Sequence, residues 1–315
     1  VSGSDIGRKA QCAAEELGRR GEEVVPPLIA LMQRRRDPVT DLLAMEALCG
    51  KGHSGSSAIG YLIKRLSTDR SGFTIEAHDA ISCMGPHAKA AIPYLLLTSS
   101  GDSRAVANLG LLAKYYPSTI VPRLTELLDN PARTIDAAAA LRNAGVSARP
   151  AQHALSRHLA LAVTEHNDTA ASELARAIGR VGEPSVSVPI LLPLLDSPGT
   201  REAAVDALDR IGPPAAAAVA PLIRRLNDPK IDELERYADV SALASIDTGS
   251  PQVLSVLLHE VVSDKGGAAK LAAVALAKPE RLPPDLAPQL ASAIRSLPEG
   301  DDKRALLAQA LEHAR

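Results

Sequence analysis

The chain has 315 residues, 46% hydrophobic but only 2% aromatic, with no Trp. Lys and Arg number 35 against 37 Asp and Glu, a net charge of −2, which lacks the clustered basic surplus of a general nucleic-acid or anionic-membrane binder. No run reaches about 18 uninterrupted apolar residues, so no membrane span is expected, and a core so poor in rings must be built from Ala, Leu, Val and Ile.

A pair made of a small residue and an aliphatic one recurs along the chain inside a helical pattern. Its second members are Leu17, Leu48, Ile81, Leu112, Leu141, Ile178, Leu208, Leu243, Leu276 and Leu311, spaced 31, 33, 31, 29, 37, 30, 35, 33 and 35 residues apart. A period in that range is the signature of stacked repeats, each of which buries its apolar face against its neighbours. Length then gives repeat number rather than domain number.

Taken in chain order, the punctuation repeats with the stripes. Gly21 leads into Pro26-Pro27-Leu28-Ile29, Gly85-Pro86 into Ile92-Pro93, and Gly182 into Val188-Pro189. In the fourth repeat Tyr116-Pro117 stands where Gly-Pro is expected. The seventh repeat is the clearest. Ala204, Leu208 and Ile211 fall at i, i+4 and i+7 on one helical stripe. Gly212 ends that helix, Pro213-Pro214 prevent its continuation, and Val219, Leu222, Ile223 and Leu226 form a second stripe. Each repeat is predicted to be an antiparallel helix pair joined by a short Gly/Pro turn. Two long intervals, around Thr164–Asp168 and Lys230–Arg236, are expected to be surface loops. The charged ends, including Arg8, Glu15, Glu16, Arg19, Arg20 and Asp301 to Arg304, suit capping repeats that face water.

The seventh repeat, Arg201-x-Ala203-Ala204-x-x-Ala207-Leu208-x-x-Ile211-Gly212 followed by Val219-x-Pro221-Leu222-Ile223-x-x-Leu226, resembles bacterial HEAT-like repeats of the short, roughly 30-residue type. The likeness extends from about Asp5 to Arg315. It implies an all-α, right-handed α-solenoid, a single domain over 1–315 with about nine helix pairs and a terminal half-repeat, whose second helices line the concave side. HEAT-like arrays serve as scaffolds, inhibitors, chaperones and occasionally enzymes, so fold alone does not name an activity.

Chemistry-bearing patterns are few. The three cysteines, Cys12, Cys49 and Cys83, are odd in number and lie on apparent helices of different repeats, which predicts buried free thiols rather than a disulfide framework. Cys49-x-x-x-His53 and Cys83-x-x-x-His87 have zinc-like spacing. Aligned on Gly52 and Gly85, the two cysteines fall one position out of register, about 100° apart around their helices, so no metal is expected. The multiple His-Glu pairs of deoxyhypusine hydroxylase-type repeats reduce here to His259-Glu260, and the chain lacks the aromatic and basic lining of repeat glycosylases. No Ser-His-Asp or phosphate-loop signature occurs, and no residue singles out a tetrapyrrole site of the phycobilin lyase type. No catalysis and no cofactor are expected.

Binding features remain. Lys64-Arg65 and Arg224-Arg225 hold matching positions on the second helices of repeats two and seven, and Arg34-Arg35-Arg36 ends that of repeat one. Five of six aromatics, Tyr61, Phe73, Tyr94, Tyr115 and Tyr116, lie between positions 61 and 116. Tyr94 aligns with the core residue Leu222 and is expected to be buried. The others have two explanations, binding anchors or fillers of gaps left by small residues. The expected function is non-catalytic binding of another protein on the concave surface through Tyr61, Lys64, Arg65, Tyr115, Tyr116, Arg224 and Arg225, one concrete version being an inhibitor or immunity protein. The alternative is a repeat-scaffold enzyme or lyase with a ligand in the groove. Arg outnumbers Lys 25 to 10, a hint of a bacterial source. A start at Val1 suggests processing, and the compartment, cytoplasmic or periplasmic, stays open.

Overall fold

The apolar stripes fold as helices. A computed structural model describes residue 16 and residues 22–34, 38–49, 56–68, 74–263, 266–279 and 282–314, and all regular structure among them is helical. Two compact halves divide the chain, Val1–Leu155 and Ser156–Arg315. The first contains α1 (Val25–Arg34), α2 (Pro38–Cys49), α3 (Ile59–Thr68), α4 (Thr74–Cys83), α5 (Ile92–Thr98), α6 (Ser103–Leu112), α7 (Pro117–Leu127) and α8 (Thr134–Ala144). α9 (Gln152–Thr164) begins in the first half and ends in the second. The second half continues with α10 (Asp168–Val181), α11 (Pro184–Leu191), α12 (Arg201–Ile211), α13 (Val219–Leu226), α14 (Glu233–Ile246), α15 (Pro251–Ser263), α16 (Gly267–Ala277), α17 (Ala287–Ser296) and α18 (Asp302–His313). No helix among the described residues is long and apolar enough to cross a membrane.

Even-numbered helices are the first members of their repeats. In the first half α2 packs on α4, α4 on α6 and α6 on α8; in the second α10 packs on α12, α12 on α14, α14 on α16 and α16 on α18. Odd-numbered helices pack on the next first helix, as α3 does on α4, α7 on α8, α13 on α14 and α17 on α18. Small residues set how close the first helices come. A methyl group added at Gly179 on α10 would lie 2.5 Å from Ala207 Cβ on α12, so the backbones approach closer than two side chains allow. The buried faces follow the sequence stripes: Ala203, Ala204, Ala207 and Leu208 on α12, and Leu222, Ile223 and Leu226 on α13. Each fully buried aliphatic side chain contributes about 1.5–3 kcal/mol.

Turns within repeats carry one feature that helical periodicity misses. Gly212 adopts a left-handed φ of +67°, as Gly85 and Gly145 do at the ends of α4 and α8. A 3₁₀ segment then follows, at Gly85–Ala91, Gly145–Ala151 and Pro213–Ala218. Side chains three apart eclipse in such a helix, and the buried pairs are Ala88 with Ala91, Ala148 with Ala151, and Ala215 with Ala218.

The long intervals are taken up mainly by helix rather than by loops. α9 has 13 residues and α10 and α14 have 14 each, against 8 for α13. Asn167 accepts from Ala170 N and Asp232 from Glu235 N. These N-caps start α10 at Asp168 and α14 at Glu233, so Glu233 to Arg236 join a helix, while Glu165, His166 and Asn167 form the expected turn between α9 and α10. At the C-terminal end Lys303 is buried rather than displayed, its ammonium donating to the Val261 carbonyl at 3.2 Å. Of the N-terminal charges, Arg8, Glu15, Arg19 and Arg20 lie outside the described residues, as do Cys12, Arg35, Arg36, His53 and Phe73.

Candidate functional site

α3 brings three of the expected binding residues together. Its buried side, Ile59 and Leu62, faces the core, which leaves Lys64 exposed and Tyr61 and Arg65 half-buried. Arg65 Nη1 donates to Tyr61 Oη at 3.3 Å. That bond holds a phenol and a guanidinium side by side before any partner arrives.

Tyr115 and Tyr116 are instead engaged with the preceding repeat. Tyr116 Oη donates to the Pro86 carbonyl. The Tyr115 ring lies against Gly85, where an added methyl would meet its hydroxyl at 3.4 Å, and Lys114 Nζ sits 4.8 Å from the ring centroid. Both tyrosines therefore brace the Gly85-Pro86 turn, although Tyr115 keeps an exposed edge. Tyr94, expected in the core, is half-buried.

Arg224 and Arg225, neighbours in sequence, have opposite fates. Arg224 stays 71% exposed, with Asp196 at 3.5 Å. Arg225 turns inward: its Nε donates to Asp239 at 2.9 Å, and Glu235 lies 3.9 Å from Nη2. Glu235 also accepts from Arg201 at 3.0 Å. Asp239 is fully buried and its second oxygen has no hydrogen-bond partner. Burial pushes this carboxyl up to about 6, against the opposing pull of Arg225.

A second buried polar cluster joins α4 to α6. His78 Nε2 lies 3.1 Å from Asp102 Oδ2, and Asn108 Nδ2 lies 2.9 Å from His78 Nδ1. Desolvation lowers the His78 pKa, which fits a neutral ring that donates from Nε2 and accepts at Nδ1. Ser82 Oγ is directed to Asn108 Oδ1 at 2.5 Å. Both ring nitrogens are thus occupied and Ser82 is not paired with the imidazole, so the cluster bolts two repeats together without forming a nucleophile–base pair. The sequence did hold a signal for both clusters. Asn108 and Asp239 each stand four residues before a repeat marker, Leu112 and Leu243, where Ala44, Ala77, Ala137 and Ala204 occupy the equivalent position in other repeats.

The cysteine expectation is overturned. Cys49 and Cys83 form a disulfide, with Cα atoms 5.0 Å apart. The one-position offset is a misalignment only for each helix taken alone. α2 and α4 pack side by side, and two residues in identical register would point the same way, one toward the neighbouring helix and one away from it. The offset lets the two sulfurs face each other across the contact. Oxidised sulfurs are not thiolate ligands, and no group of three or more His, Cys, Asp or Glu side chains suited to a metal occurs among the described residues.

Two clefts lie on the second helices of the second half. One, about 460 Å³, runs between α15 and α17 and is lined by Ser255, His259, Val262, Gln289, Ser292 and Ser296. The other, about 380 Å³, lies where α13 ends beside α15 and includes Asp228, Arg236, His259 and Glu260. Both volumes fit a small ligand. In the second cleft, however, Glu260 already accepts two bonds from Arg236 Nη1, at 2.9 and 3.0 Å, and His259 faces Ser263. No protein-family model matches the chain and no curated protein matches it, so the residues themselves carry any functional reading.

Proposed function

We propose that this chain is a bacterial HEAT-like repeat array, a right-handed α-solenoid, that holds another protein without catalysis along the surface of its second helices. The packing of each first helix on the next, within each half, supports the stacked architecture. The observation that carries the binding role is the Tyr61–Arg65 pair beside exposed Lys64 on α3. Tyr and Arg dominate interface hot spots, and a pair already bonded loses less side-chain freedom on binding. Arg224 is the steering charge of the second half, and an inhibitor or immunity protein is the concrete form this takes. The Cys49–Cys83 bridge favours the oxidising, periplasmic compartment over the cytoplasm.

A pull-down from the source organism should return one stoichiometric protein. Tyr61→Ala should then weaken its binding by more than about 1 kcal/mol with far-UV circular dichroism unchanged. Arg224→Glu should act on the association rate and its salt dependence. Normal binding by both variants, with loss on substituting Glu165 and His166, would move the contact to the α9–α10 turn. The alternative, a ligand in the groove, has the α15/α17 cleft as its seat, and a small molecule co-purifying there without a protein partner would favour it.

A further inference from the structure

We propose that the Cys49–Cys83 bridge is a thiol–disulfide exchange site whose redox state controls how firmly α3 is presented. Cys83 is exposed and Cys49 only half-exposed, so the Cys83 side of the bridge is the more open to an incoming thiolate. The co-reactant is a dithiol, either a small molecule or a dithiol oxidoreductase. Its thiolate attacks Cys83 Sγ, the Cys49–Cys83 bond breaks, and Cys49 leaves as a thiolate that takes up a proton. The second thiol of the reductant then attacks the mixed disulfide and releases Cys83. Two electrons pass in all: the dithiol becomes a disulfide and both cysteines become thiols.

The consequence comes from what the bridge encloses. It ties the last residue of α2 to the last residue of α4 across a separation of 34 residues. α3, with Tyr61, Lys64 and Arg65, lies inside that loop, as does α4. While the bridge is closed, an opening in which α4 parts from α2 and frees α3 gains little chain entropy. Once it is open, the same segment can expand, and local opening becomes easier by the loop-closure term. Contacts between repeats confine the effect to this neighbourhood.

This inference rests on α3 being part of the binding surface, so the decisive measurement uses no partner. A Cys12→Ser background leaves the bridge as the only cysteine chemistry in the chain. Dithiothreitol in native buffer should convert both cysteines to alkylatable thiols. Amide hydrogen exchange in α3 should then accelerate roughly a hundredfold or more, while α7 keeps its rate. Cys49→Ala with Cys83→Ser should exchange at the fast rate in either buffer. Should that double variant fail to fold, titration of the bridged protein with dithiothreitol gives the same readout. A bridge that opens only in denaturant, or α3 exchange that ignores its redox state, overturns the exchange site while Tyr61→Ala still judges the surface independently. With the partner in hand, the reduced protein should bind at least about fivefold more weakly, and equal affinity in both states would overturn the regulatory role.

Discussion

Replacing Asp239 by asparagine should make the chain's pH dependence reveal a buried charge held at a cost. Asp239 sits fully buried on α14 with Arg225 at 2.9 Å, yet its other oxygen has no partner. Burial therefore outweighs the pairing and lifts the carboxyl from 3.8 to about 6. Because the folded value lies above the unfolded one, the folded state binds the extra proton between these limits. The stability linked to this group is fully present below about pH 4 and is lost as pH rises through about 6. Two units correspond to about 3 kcal/mol at 1.36 kcal/mol per unit. An amide in place of the carboxyl would keep the shape and an acceptor for Arg225 but would not titrate. Urea unfolding followed by circular dichroism, at about pH 7 and about pH 4.5, should show wild type gaining about 2 kcal/mol, the larger part of the full shift, relative to Asp239→Asn on acidification. Other carboxylates titrate in both proteins and cancel in the comparison. If the wild type instead loses stability relative to the variant as pH falls, the pair outweighs the desolvation and the reasoning is wrong.

Two further outcomes test the architecture. Gly179→Ala should destabilise by about 1–3 kcal/mol, because the new methyl meets Ala207 on α12 and the two helices must separate. Gly60→Ala on α3 meets nothing within 4 Å and should be neutral or stabilising by up to about 1 kcal/mol; equal effects in thermal melts would mean that the close approach of α10 and α12 does not constrain the fold. Elemental analysis should find no stoichiometric zinc or iron, with the melting temperature indifferent to chelator, since Cys49 and Cys83 are spent on each other. A tightly held zinc that vanishes on replacing them would refute this.

The sequence by itself determined the helices. Stripes at i, i+4 and i+7, closed by Gly212 and Pro213-Pro214, leave a chain with so few rings no other way to bury its apolar residues, and α12 and α13 fall where those stripes end. It also singled out α3, because Tyr61, Lys64 and Arg65 stand off the core stripe of one helix and local periodicity is enough to say so. What only the tertiary structure decided depends on faces meeting across repeats. Arg224 and Arg225 are alike in sequence, but the roughly 100° between them sends one to solvent and the other onto Asp239, 14 residues away. Tyr116 reaches back 30 residues to Pro86, and Cys49 meets Cys83 34 residues on. A repeat alignment compares equivalent positions; contacts form between positions that face one another, and those differ in rotation around neighbouring axes. That geometry exists only once the helices are packed.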